Sequence, residues 1–143
     1  MATTQHSSFR TLTHPLNTVL LASTLPLFLG ALLSDWAYSV SYEIQWINFA
    51  SWLIVGALIL LGAALLWAVI DALRADRSHN GRKWLLTGLV LATFIIGFVN
   101  ALVHAKDAWA TMPAGLILSV IVLILAIISV GFGFARSHSG ERT

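Results

Sequence analysis

Asn100-Ala-Leu-Val-His104-Ala-Lys106-Asp107-Ala-Trp109-Ala-Thr-Met-Pro113 joins two long apolar segments near the end of a 143-residue chain. Upstream of it, Thr93, Gly97, Asn100 and His104 recur at steps of four, three and four, so on a helix they stack on one face. Downstream, Gly115, Ser119, Val122, Ala126, Ser129 and Gly133 repeat the same steps with mostly small side chains. Small residues at that spacing let two helix backbones approach closely inside a bilayer. The two faces therefore predict a packing seam, with Gly97, Gly115, Ser119, Ala126 and Gly133 as its contact positions and a polar end at Asn100 and His104.

Composition agrees with a bilayer as the solvent. Hydrophobic residues make up 58% of the chain and charged ones only 10%, far from the mixture of a soluble domain. About 20 mostly apolar residues cross the hydrocarbon as a helix. Four such segments are present, at residues 15–37, 47–73, 83–104 and 112–135, which predicts an all-α domain over 14–135 between two disordered tails, 1–13 and 136–143. Cysteine is absent, so disulfides, thiolate ligands and thiol nucleophiles are excluded.

Charge asymmetry predicts the orientation. Arg10, Arg74, Arg77, Arg82, Lys83, Arg136 and Arg142 fall on one side and only Lys106 on the other, so the positive-inside rule places both termini and the central loop in the cytoplasm. These residues sit at helix ends, where they meet anionic head groups. No basic stripe with interleaved aromatics exists, so nucleic acid is not an expected partner. Arg10 and the run after it read as a retained anchor, because that run is longer than the apolar core of a signal peptide.

Along the first segment, Thr13 or His14 caps the helix, Pro15 occupies its first turn and Pro26 sits mid-helix, where it removes one backbone hydrogen bond and should bend the helix. Trp36, Tyr38, Tyr42, Trp46 and Trp109 gather at the opposite interface, as an aromatic belt does. Helix two carries Ala57, Ala64, Ala68 and Asp71 on about one face. Asp71 reads either as a carboxylate snorkelling with Arg74 or as a partner for His14 or for the start of helix three. Asn80-Gly81 is a turn signal in the loop that ends at Arg82.

At His14-Pro15, at Asp35-Trp-Ala-Tyr38, at Asp71 and above all at Asn100 to Trp109 followed by Gly115-Leu-Ile-Leu-Ser119, the chain resembles the domain of unknown function 2231 family. The resemblance spans about residues 14 to 133. It implies a small four-helix protein of the bacterial inner membrane and implies no activity.

The chemistry that the residues can support is limited. No serine lies in a Gly-x-Ser-x-Gly turn and no nucleophile, base and acid are spaced as a unit, so no catalytic residue is assigned. A b-type haem needs two axial ligands. His14 opens helix one and His104 closes helix three, and these helices run the same way, which sets the two histidines roughly 30 Å apart. At the outer face, Asp35, Glu43, His104 and Asp107 share one membrane level and suit a divalent cation. The plainer account there is a solvated acidic rim, with His104 bonded back to Asn100 and Asp107 capping the next turn. No cofactor is expected, haem b and a divalent cation being the alternatives.

Two functional classes follow. As an interaction or structural module, the chain assembles with itself or with another membrane protein through its small-residue stripes. As a small-solute or proton-coupled transport element, it uses an internal polar path through Asn100, His104, Asp71 and His14.

Overall fold

A computed structural model describes residues 6–74, 80–106 and 108–139, with side chains outside 6–15, 80, 82 and 135–139. Five helices account for them: α1 (His6–Ser41), α2 (Ile44–Leu73), α3 (Asn80–His104), the one-turn α4 (Ala108–Thr111) and α5 (Ala114–Ser139). No strand occurs among the described residues. Four stretches are long and apolar enough to cross a membrane: Leu16–Ser41, Ile44–Leu73, Lys83–His104 and Ala114–Phe134.

The inward faces explain the architecture. In α2, Ile47, Ala50, Ile54, Ala57, Leu61, Ala64 and Ala68 are all buried, and their alternating steps of three and four are the pattern that packs helices nearly parallel in a bundle. The other long helices bury matching series: Leu21, Thr24, Phe28, Ala31, Asp35 and Tyr38 of α1; Leu86, Val90, Thr93, Asn100 and His104 of α3; Ser119, Val122, Ala126 and Ser129 of α5. Large apolar residues such as Trp52, Ile59, Leu66, Ile95, Leu102 and Ile124 are exposed, which in a bilayer is the lipid face.

α1 and α3 each pack against both α2 and α5, so α1 and α3 face one another across a diagonal. Register is read from side chains at the glycines. Leu53 lies over Gly30 and Leu27 over Gly56, while Leu58 lies over Gly97 and Phe94 over Gly62; both pairs run antiparallel. Leu21 meets Gly133, and Phe28 reaches Gly97 across the diagonal. One end of the bundle therefore holds Asp35, His104 and Ser119, and the other holds Asp71 and Lys83. The small stripes of α2, α3 and α5 all face the interior of one chain, so they are not free to serve a second copy.

Several helix ends differ from the sequence expectations. α1 begins at His6, within the stretch read as a tail, and continues past residue 37 to Ser41. It is continuous through Pro26, which is exposed. Asn80-Gly81 opens α3 instead of forming a turn, and α5 runs to Ser139, beyond residue 135. The extensions at His6, Asn80 and Ser139 lie outside the stretches long and apolar enough to cross the membrane, where hydropathy carries no signal about helix length, whereas the one to Ser41 lies within Leu16–Ser41. α4 was not expected, and Pro113 precedes α5 by one residue, its carbonyl accepting from Ile117 N–H at 3.2 Å. Residues 1–5, 75–79 and 140–143 lie outside the described set.

Candidate functional site

Asp35 is the feature that hydropathy conceals. Its backbone belongs to an apolar helix, and its steps of four from Ala31 and three to Tyr38 put it on the buried face, where it has no solvent exposure. The expectation of a solvated rim is corrected at this residue: the helix continues to Ser41, and the carboxylate turns inward with the rest of the series.

Three helices supply its partners. His104, at the last turn of α3, brings Nε2 to 2.7 Å from Asp35 Oδ1. Ser119 of α5 donates from Oγ to Asp35 Oδ2 at 2.5 Å. Asn100, one turn before His104, donates from Nδ2 to Ser119 Oγ at 2.9 Å. His104 Nδ1 lies 3.0 Å from the Asn100 main-chain carbonyl. The four residues thus form a ring of hydrogen bonds that starts and ends at Asn100. Asn100 Oδ1, also buried, has no hydrogen-bond partner.

Proton placement follows from what each atom can do. A carbonyl only accepts, so the hydrogen between His104 and Asn100 sits on Nδ1. Nε2 and Oδ1 then share one further proton, as imidazolium with carboxylate or as neutral imidazole with carboxylic acid. In either description the pair as a whole is neutral. Removing that proton leaves a ring lone pair facing a carboxylate; adding another leaves a buried positive charge. Both results are costly in a medium of low dielectric. Ser119 has a single hydrogen and gives it to Asp35, which matches its acceptance from Asn100.

Apolar groups pack beneath the network. Toward the bundle centre, Gly97, Phe28 and Val122 meet beneath Asn100 and Ser119. Further on, Thr93 Oγ1 and Ser129 Oγ pair at 3.2 Å, and beyond Val90 and Ala64 the Thr87 hydroxyl donates to the Ala68 carbonyl at 3.3 Å. Lys83 Nζ and Asp71 Oδ1 form a part-buried ion pair at 3.3 Å at the far end. The polar groups thus lie in separate tiers with apolar layers between them, and the described residues contain no continuous polar path.

On the side away from the centre, the Tyr38 ring meets Tyr42 edge-on with centroids 6.2 Å apart, and Tyr42 stacks on Trp109 at 6.0 Å. Tyr42 ends α1 with φ of 57°, the left-handed region that costs a bulky residue about 1–2 kcal/mol. Its N–H bonds the Tyr38 carbonyl at 2.8 Å, as in a helix cap that usually employs glycine. Thr111, fully buried, donates to the Val103 carbonyl at 3.3 Å and ties α4 to α3.

The candidate residues from the sequence divide as follows. Asn100 and His104 share one face, and Asp35 and Ser119 join them. Asp71 belongs to the opposite end. Glu43 is exposed, and among the described residues no group of three or more His, Cys, Asp or Glu lies close enough to hold a metal ion. Both ring nitrogens of His104 are already engaged. Asp107 and the His14 side chain lie outside the described set. Gly97, Gly115, Ser119, Ala126 and Gly133 are all buried, and Ser119 has a hydrogen-bonding role as well as a packing one. The signal that finds Asp35 is the series Phe28, Ala31, Asp35, Tyr38, which has the same spacing as the seam in α3 and α5.

A family model described as "Predicted membrane protein (DUF2231)" matches residues 13–139. No curated protein and no solved structure matches the chain.

Proposed function

The chain belongs to the DUF2231 family of membrane proteins, and we propose that its role rests on a proton-binding site, Asp35 with His104, whose occupancy is coupled to the packing of α1 against α3 and α5. One observation carries this reading: a carboxylate with no exposure bonded to a buried imidazole in an apolar bundle. Buried ion pairs are weak stabilisers, since well-packed apolar residues often do as well or better. Ionisable groups inside a membrane are rare and mark proton or ligand sites by default. Histidine is the side chain whose ordinary titration range lies nearest neutrality.

The coupling is local. Asp35 ties α1 to α3 through His104 and to α5 through Ser119, so a change in the shared proton acts on three helices at once. The apolar layer beneath Asn100 favours a site that exchanges protons with one side of the membrane over a path through it. Charge asymmetry favours the outer side of a bacterial inner membrane, with both termini in the cytoplasm. The chain in this reading is a small proton-responsive membrane module, and assembly with a second copy or another membrane protein would use lipid-facing surface.

Nitrogen-15 NMR of the His104 ring, in protein reconstituted in lipid and assigned with His104→Gln, tests the proposal. The wild-type ring should change protonation state between about pH 4 and pH 10, and Asp35→Asn should displace that transition. A ring that keeps one protonation state over the whole range would overturn the reading.

A further inference from the structure

We propose that Gly115 is a positioning residue of the Asp35–His104 pair: the missing side chain at 115 is the space in which the imidazole lies in register with the carboxylate. The inference rests on the proton-site reading and deepens it, because a residue so far counted with the packing seam becomes part of the site.

Distances carry it. A Cβ built on Gly115 would lie 2.7 Å from Thr111 Cγ2, 2.9 Å from His104 Cε1 and 3.4 Å from His104 Nε2. Carbon atoms in contact sit at about 3.5–4.0 Å, so two of the three approaches require a neighbour to move. Neither neighbour is free to do so. The ring is held at Nδ1 by the Asn100 carbonyl and at Nε2 by Asp35, so turning it breaks at least one of these bonds. Thr111 is fully buried and its hydroxyl is tied to the Val103 carbonyl. A methyl group at 115 is therefore accommodated by withdrawing Nε2 from Asp35.

The other close-packed glycines differ in kind. At Gly97 the nearest atom to a built Cβ is Leu58 Cδ2 at 3.1 Å, and at Gly30 it is Leu53 Cδ1 at 3.0 Å. Each is the end of a flexible side chain that can rotate aside. Among the described glycines, only Gly115 faces the titratable ring. The groups that face this ring are few: Asp35 of α1 with Tyr38 one turn beyond it, and no titratable residue from α2, α4 or α5 among those described. Glu43 and Lys106 at the same end are exposed.

The experiment compares Gly115→Ala with Gly97→Ala, a substitution in the same packing system that does not touch the ring. Stability in detergent and the His104 ring resonances are recorded for both. Gly115→Ala should move the Nε2 resonance at fixed pH and displace the His104 transition by about one pH unit or more, since a unit corresponds to 1.36 kcal/mol of differential interaction. Gly97→Ala should lower stability and leave both readings as in wild type. Adding Thr111→Ser removes one of the two crowded atoms; it should keep Gly115→Ala folded and retain the displacement, because the ring contact remains. A Gly115→Ala ring that matches wild type in both readings would overturn the inference. If the wild-type ring does not titrate, the proton-site reading fails, and the Nε2 resonance at fixed pH still decides the role of Gly115: moved supports it, unmoved defeats it.

Discussion

Asp35 and His104 are 69 positions apart in the chain and meet 2.7 Å apart across the diagonal of the bundle. Helices on a diagonal touch less than neighbours do, and here a carboxylate and an imidazole bridge the gap. The bond joins parallel helices that the chain can bring together only after α2 has reversed its direction.

Breaking the pair should cost more than replacing it. Asp35→Ala strands the His104 ring and the Ser119 hydroxyl in a buried site, with an expected loss of about 3–5 kcal/mol. Asp35→Leu combined with His104→Leu removes both ionisable groups and should recover much of that loss. Reversible unfolding in mixed micelles measures both. A double variant no better than Asp35→Ala would mean that the network itself is required for folding.

The stability of the wild-type bundle should pass through a maximum with pH. The pair is neutral while it holds one shared proton, and either losing it or gaining a second leaves a net charge among buried groups. Thermal melts across the pH range should fall on both sides of the optimum, and the double leucine variant should show a flatter profile. Equal slopes in the two proteins would assign the pH response to other groups.

Seam substitutions should separate hydrogen bonding from volume. Ser119→Ala deletes two bonds and little volume, so it should lose about 1 kcal/mol, the scale of polar contacts between membrane helices. Ala126→Leu forces a large side chain into a position that is 1% exposed and should lose about 1–3 kcal/mol. Unchanged melting of Ala126→Leu would mean that α5 can rotate its seam away.

The Asp71–Lys83 pair provides a contrast. Both side chains are about a quarter exposed, and a pair of that kind contributes at most about 1 kcal/mol. Lys83→Met should therefore melt close to wild type and leave the His104 resonances unmoved. A loss as large as that of Asp35→Ala would reverse the ranking of the two ends.

Orientation is open to a direct test. A reporter fused after Thr143 should be active only in its cytoplasmic form, as the seven basic residues on that side predict. Periplasmic activity at the same point would invert the membrane side assigned to Asp35.

Membrane class, four crossing segments and the seams of α3 and α5 were legible along the chain, because in lipid each helix must satisfy its own backbone and show its packing face as a spacing of small residues. Asn100 and His104 stood out for the same reason, as polar residues in register with glycines. Asp35 was read as a rim residue because hydropathy locates a helix end only to within a turn or two, and Ser34-Asp35 resembles such an end. Whether α1 stops there or continues to Ser41 decides between solvent and core, and that depends on what packs against Tyr38 and Tyr42.

Local chemistry alone sufficed for the crossing helices and for which face of α2, α3 and α5 turns inward: backbone satisfaction and side-chain size act within a few residues. The junction of Asp35, His104, Ser119 and Asn100 was decided by tertiary structure. It requires the relative heights of three helices, and those heights are set by the antiparallel register of α1 on α2, of α2 on α3 and of α3 on α5, each the sum of many small contacts between positions far apart in the chain. A sequence states each side chain once; only the register states which of them share a level.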